Sequence, residues 1–209
     1  MPLLDHDFEV IFRYFLSSFN VLIVSAKTKR DNAYHETQIQ TLQWDGLRDL
    51  WNKIENRETD WLSGKAFEYL VLRAFQLDGA EVKWPYDVRL FGEAVEQIDG
   101  VIHYAHLSCL VESKDYQDPL NIEAIAKLRN QLLRRPAGTV GLVFSYSGFT
   151  APAIHLSYFS LPQAILLWTG EEIKYALEQE KICEFLLLKY RVCVEDGLTD
   201  YNILERSIS

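Results

Sequence analysis

Residues 97–114 read Gln-Ile-Asp-Gly-Val-Ile-His-Tyr-Ala-His-Leu-Ser-Cys-Leu-Val-Glu-Ser-Lys, and this stretch constrains the fold more tightly than any other. Two apolar runs flank Ala105 and His106, which predicts an antiparallel hairpin closed by an even-length loop. In that register Tyr104 faces Leu107, Ile102 faces Cys109, and Asp99 falls opposite Glu112. Opposed residues send their side chains to one face, with Cβ atoms about 5 Å apart. Lys114, two residues beyond Glu112, shares that face. Opposed carboxylates repel, so a sheet built for structure alone should avoid the pairing. A divalent cation between them removes the objection, because carboxylate oxygens are preferred ligands of Mg²⁺. The hairpin therefore reads as a metal site.

A chain of 209 residues can bury a substantial core. The expected division is an N-terminal helical extension over residues 1–60 and one domain over 61–209. Phe8 to Val24 is apolar, but Arg13 and Asn20 interrupt it, Asp5 and Asp7 precede it, and it lacks the basic start of a secretory leader. Neither a leader nor a membrane span is expected. Cys109, Cys183 and Cys193 have no metal-ligand spacing and read as buried thiols in a reducing cytoplasm. The formal charge of −9 argues weakly against a nonspecific nucleic-acid binder. Residues 61–170 are nearly balanced, however, with 9 Lys and Arg against 11 Asp and Glu. A local basic groove there is compatible with the total.

Hydrophobic periodicity predicts helices over 4–24, 38–57 and from Ser63 to about Asp78-Gly79. The third has Phe67, Leu70, Val71, Ala74 and Phe75 as its stripe. Strands are expected over Ala80–Trp84, Asp87–Phe91, Ile98–Tyr104 and Leu107–Ser113. Asp118-Pro119 suggests a helix start, running to Arg135. Thr139–Tyr146 and Gln163–Trp168 read as strands, with a short helix over Gly148–Tyr158 between them. A helix over 171–178 follows, and the apolar run Ile182–Val194 fits helix or strand. Strands each reached by a helical crossover imply an α/β layer with a mixed sheet.

Glu-x-Lys alone is weak evidence, because the chain contains three. Glu81-Val82-Lys83 has no carboxylate on a matched hairpin partner. Glu172-Ile173-Lys174 opens a helix, where acids favour the dipole. Only Glu112-Ser113-Lys114 ends an apolar strand with an aspartate thirteen residues upstream. The bland alternative is an exposed strand end with both carboxylates in solvent. The chemical reading is a nuclease. Asp99 and Glu112 hold Mg²⁺, which polarises the scissile phosphate and acidifies an attacking water. Lys114 orients that water or stabilises developing charge, and the Ser113 carbonyl supplies a further oxygen. Glu68, at the edge of the buried face of helix 63–78, either reaches this site as a further metal ligand or is a surface glutamate paired with Lys65 or Arg73. His103 shares the Asp99 face, but a satisfied histidine is the commoner case. No His, Cys and Glu set has zinc spacing.

These residues resemble the PD-(D/E)xK nuclease superfamily, and within it the Mrr-like restriction endonuclease domain. The likeness covers residues 63–178. Gly64-Lys65-Ala66-Phe67-Glu68 is similar to the opening helix with its acid. Gln97-Ile98-Asp99-Gly100 and Glu112-Ser113-Lys114 are similar to the metal-binding aspartate and the catalytic Glu-x-Lys. Gly141 to Thr150, followed by Ala153, resembles a strand and its Gly-Phe-Thr turn into a helix, and Ile165 to Gly170 the next strand and turn. The resemblance implies an αβββαβ core, a mixed central sheet flanked by helices, that cleaves DNA with Mg²⁺, Mn²⁺ being expected to substitute. It implies Glu68, Asp99, Glu112 and Lys114 as the active site. Asp115 stands where many relatives carry aromatic or basic residues.

Lys127, Arg129, Gln131, Arg134 and Arg135 lie on helix 119–135 and could track a phosphate backbone, Lys127 and Gln131 sharing a face. A solvated helix face is the competing account. The expected activity is a cytoplasmic endodeoxyribonuclease acting on foreign or modified DNA, with no membrane association. A homodimer would let two sites cut two strands, through Ile182–Val194 or the Trp-bearing helices. Two rivals stay open. One is a nuclease effector whose partner protein supplies DNA binding. The other is a non-catalytic interaction protein that keeps the fold.

Overall fold

The computed structural model describes residues 34–61, 64–84, 86–90 and 93–208. The chain divides into two compact units, Met1–Thr41 and Leu42–Ser209. In the first, residues 34–41 are helical; the helix expected over 4–24 lies outside the described residues. The helix expected over 38–57 is interrupted at residues 42–43.

The second unit carries the site. Its elements are α1 (Trp44–Glu55), α2 (Lys65–Leu77), β1 (Glu81–Lys83), β2 (Tyr86–Leu90), β3 (Glu93–Ile98), β4 (Gly100–Tyr104), β5 (Leu107–Lys114), α3 (Ile122–Leu132), β6 (Thr139–Ser145), α4 (Ala151–Tyr158), β7 (Ile165–Thr169), α5 (Gly170–Gln179) and α6 (Ile182–Asp196), followed by a 3₁₀ turn, Ile203–Ile208. The main sheet has the order β1-β4-β5-β6-β7, while β2 and β3 form a separate ribbon. β4 runs antiparallel to both β1 and β5, and β5, β6 and β7 run parallel. The mixed sheet expected from the helical crossovers is what forms.

The hairpin register is as expected: Tyr104 pairs with Leu107, Ile102 with Cys109 and Gly100 with Val111. Ala105 and His106 both take positive φ, 45° and 73°, as a two-residue loop of the mirror-image type requires. One expectation fails. Ile98–Tyr104 is not a single strand, because the chain leaves the ribbon at Ile98 and joins the main sheet at Gly100. Asp99 sits alone in the crossing.

Helices cover both faces of the sheet. On one, Gly100 leaves room for α2: a Cβ there would lie 2.5 Å from Leu72 Cδ2. Phe75 meets Phe144 edge-on, and Phe144 packs on Trp168. On the other face Gly141 admits α3, where a Cβ would lie 2.9 Å from Leu128. Leu110, Ile125, Leu128, Leu132, Val143, Ala153, Ile165 and Leu167 close that core. The start of α3 differs from the expected Asp118 cap. Asn121 caps it, its side chain accepting from Glu123 N at 2.9 Å. Leu120 cannot join the helix because its backbone is bonded to Gly148 and Thr150.

The run left open between helix and strand is helix α6. It is tied down by Lys189, whose buried ammonium donates to Glu172 Oε1 at 2.6 Å. Burial lowers the Lys189 pKa, and Glu172 opposes that shift. Ile182, Cys183, Leu186, Leu188 and Cys193 are buried in this chain's own core, so they do not form the free apolar face expected of a dimer surface. No helix among the described residues is long and apolar enough to cross a membrane.

Candidate active site

β5 is covered on both faces and paired on both edges, and its C-terminal end carries Glu112 and Lys114. Glu112 has 0% exposure. A buried carboxylate is costly unless partnered, and this one has two ammonium groups. Lys114 Nζ lies 2.6 Å from Oε1, and Lys127 Nζ lies 2.6 Å from Oε2. Lys114 also donates to the Ser113 carbonyl at 3.0 Å. Burial alone would lower the Lys114 pKa, but Asp99 and Glu112 together outweigh it and hold the amine above its ordinary value.

Asp99 meets this group from the crossing between β3 and β4. Its Oδ2 accepts from Ser113 N at 2.7 Å, so the side chain continues the ladder beyond Gly100 and Val111. Burial raises its pKa, and the neighbouring Glu112 charge raises it further; Lys114 and the Ser113 hydrogen bond act in the opposite direction. The repulsion expected between two opposed carboxylates is therefore present.

Glu68 comes from the first turn of α2, with 7% exposure. It is not the surface glutamate of the alternative reading, although it keeps the Lys65 partner expected there. Lys65 donates to its oxygens at 2.6 and 2.8 Å, and it also feels the charges of Asp99 and Lys114. Burial first, then Asp99, raises its carboxyl to about 7, against the pull of Lys65. Among the described residues, no three His, Cys, Asp or Glu side chains gather closely enough to hold a metal together. The donors that suit a hard cation are Asp99, Glu112 and the Ser113 carbonyl. One or two carboxylates completed by water is the usual protein share of a Mg²⁺ shell, so this donor set fits the ion.

The residues expected to track phosphate do not form one exposed stripe. The face shared by Lys127 and Gln131 is turned toward the sheet: Lys127 reaches Glu112, and buried Gln131 donates to Gln97 O at 3.1 Å. Arg135 pairs with Glu96 at 2.7 Å and Arg134 binds the same carboxylate. Arg129 is exposed. His103 contacts Ser108 at 3.0 Å near the hairpin turn, lining a cavity of about 500 Å³ away from the carboxylates.

Sequence reasoning missed Arg57. It follows α1 with φ 58°, stacks 4.6 Å over the Tyr146 ring, and pairs with Asp115 at 2.5 Å. The acid immediately after Lys114 is thus neutralised by a residue 58 positions earlier. No local signal announces that pairing.

A mixed sheet whose covered central strand ends in Glu-x-Lys, with an aspartate from the β3–β4 crossing and a glutamate from the first turn of α2 beside it, defines a restriction-endonuclease-like nuclease fold. A model of the restriction endonuclease family Mrr_cat matches residues 59–177. The chain belongs to this family. Two solved structures are similar. The small subunit (R.BspD6I2) of the heterodimeric restriction endonuclease R.BspD6I has 17% identity and a TM-score of 0.48, covering 70% of this chain and 89% of that one. The MspJI restriction endonuclease in complex with a 27-mer oligonucleotide has 20% identity and a TM-score of 0.38, covering 65% of this chain and 30% of that one. No curated protein sequence matches at a significant level.

Proposed function

We propose that this protein is a Mg²⁺-dependent endodeoxyribonuclease, acting in the cytoplasm against foreign or modified DNA. The observation that carries the reading is Glu112, a fully buried carboxylate bracketed by two ammonium groups and adjoined by Asp99. A purely structural strand end has no use for that concentration of buried charge. Asp99 and Glu112, with the Ser113 carbonyl, would hold the ion. Bound there, Mg²⁺ supplies Lewis acidity toward a phosphate oxygen and lowers the pKa of an attacking water. Asp99 is oriented for this by its bond from Ser113 N. Lys114, fixed by Glu112 and the Ser113 carbonyl, presents a positive charge where negative charge develops on the phosphate. Glu68, buried within reach of the Asp99 and Lys114 charges, would accept the proton that the water gives up.

A specific observation also favours the effector form of this reading, in which a partner protein supplies DNA affinity. The chain carries −9 overall, and Arg134, Arg135 and Arg57 are each paired with acids. Phosphate binding rests on unpaired surface cations, and these three are committed.

Supercoiled plasmid with Mg²⁺ tests the proposal, with wild type beside Lys114→Ala and Asp99→Ala. Nicking or linearisation by wild type alone supports it. Activity that survives in both variants contradicts it. Cleavage appearing only with a copurifying partner identifies the effector form, and inactivity under every condition supports the non-catalytic rival.

A further inference from the structure

Glu68, Asp99, Glu112 and Lys114 are the four positions carried by the family resemblance, but the structure places a fifth charged group against them. Lys127 Nζ, from α3, donates to Glu112 Oε2 at 2.6 Å. Its neighbours in this contact are Glu112, Lys114 on the other carboxylate oxygen, and Asp99, whose charge it also moderates.

The two ammonium groups on Glu112 are held differently. Lys114 belongs to the same strand, bonds the Ser113 carbonyl as well, and is 25% exposed. Lys127 crosses from a helix, makes its one described contact with Glu112, and its side chain is 46% exposed. Lys127 can therefore withdraw toward solvent, where water replaces its bond to Glu112, whereas the less exposed Lys114 would also give up the Ser113 carbonyl. An ammonium 2.6 Å from Oε2 and a divalent ion cannot share that oxygen, because like charges at such range repel strongly in a poorly solvated site.

We infer that Lys127 is the exchangeable cation of the site. It neutralises Glu112 while no divalent ion is bound, gives up that oxygen to the ion, and turns to the scissile phosphate, the new negative group beside it. This rests on the nuclease reading above and adds a residue and a gating role to it. Competition for Glu112 makes the ammonium an antagonist of metal binding, although the same ammonium assists cleavage. A residue that merely props Glu112 would not combine those effects, since removing a prop weakens both.

The test is calorimetric titration of Mg²⁺ into the DNA-free protein, wild type beside Lys127→Ala, Lys127→Gln and Lys127→Arg, with plasmid cleavage measured in parallel. The amide of Lys127→Gln can still donate to Glu112, so it guards against loss of folding in Lys127→Ala. The two uncharged variants should bind Mg²⁺ about fivefold or more tightly than wild type. At saturating Mg²⁺ they should cleave about 10- to 100-fold more slowly. Lys127→Arg should return both quantities toward wild type. Unchanged or weakened Mg²⁺ affinity in a folded Lys127→Gln overturns the exchange while leaving a cleaving wild type, and hence the nuclease reading, intact. A wild type that neither binds Mg²⁺ nor cleaves overturns the reading itself and the exchange with it.

Discussion

Asp99 accepts a hydrogen bond from the backbone N–H of Ser113 at 2.7 Å, so a side chain carries the hairpin ladder one step past its last strand pair. That bond needs an oxygen acceptor and no charge. The charge of Asp99 is itself unfavourable, being buried beside Glu112. Asp99→Asn should therefore fold as well as wild type or better in EDTA, while losing about 100-fold or more in plasmid cleavage. Thermal melting and a cleavage assay on one preparation check both halves.

Glu68 gives the apo protein a pH dependence of definite sign. Its folded-state pKa is raised from 4.5 to about 7, so the folded protein holds this proton more tightly than the unfolded chain. The resulting stability is fully present below pH 4.5 and is lost as pH rises through about 7. Its size is on the order of 3 kcal/mol at most. Urea denaturation in EDTA should give lower stability at pH 8 than at pH 5, and Glu68→Gln should flatten much of the slope. Asp99, raised for the same reason, leaves a remainder of the same sign.

Gly100 tests how closely α2 controls the aspartate beside it. A Cβ at Gly100 would sit 2.5 Å from Leu72 Cδ2, on a fully buried leucine. Gly100→Ala should destabilise by about 1–3 kcal/mol and depress cleavage by displacing Asp99. Adding Leu72→Ala should recover part of the lost activity, at its own cost in core packing. Chemical denaturation and cleavage rates on the two single variants and the double variant decide this.

Lys189 and Glu172 form a buried pair that fixes α6, Glu172 also accepting the backbone N–H of Ile203 at 3.1 Å. Lys189→Ala strands a buried carboxylate and should cost about 3–5 kcal/mol. Lys189→Met with Glu172→Gln removes both charges and should cost much less. Equal losses in the two variants, by thermal melting, would contradict this account of the pair.

The parts of this structure legible in the sequence share one physical property: they are set by local periodicity. The hairpin register follows from alternation in two short runs, so Gly100 opposite Val111 could be anticipated. The apolar stripe of α2 located the helix but not its burial: Ala66 to Leu72 are all buried, Glu68 among them. The break at Asp99 was hidden because Ile98 and Val101 both read as strand, although they belong to different sheets. Lys127 and Arg57 were illegible for another reason. Their partners, Glu112 and Asp115, are chosen by how helices dock, 15 and 58 residues away. A basic run on a helix says nothing of whether its cations face water or a buried acid.

The central claim is that Asp99 and Glu112 jointly bind a divalent ion. A crystal of the wild-type protein grown with Mn²⁺, examined by anomalous scattering, tests it most directly. A peak bonded to both carboxylates at about 2.2 Å is expected, with Lys127 no longer on Glu112. Mn²⁺ absent from that position, with Glu112 still clasped between Lys114 and Lys127, would contradict it.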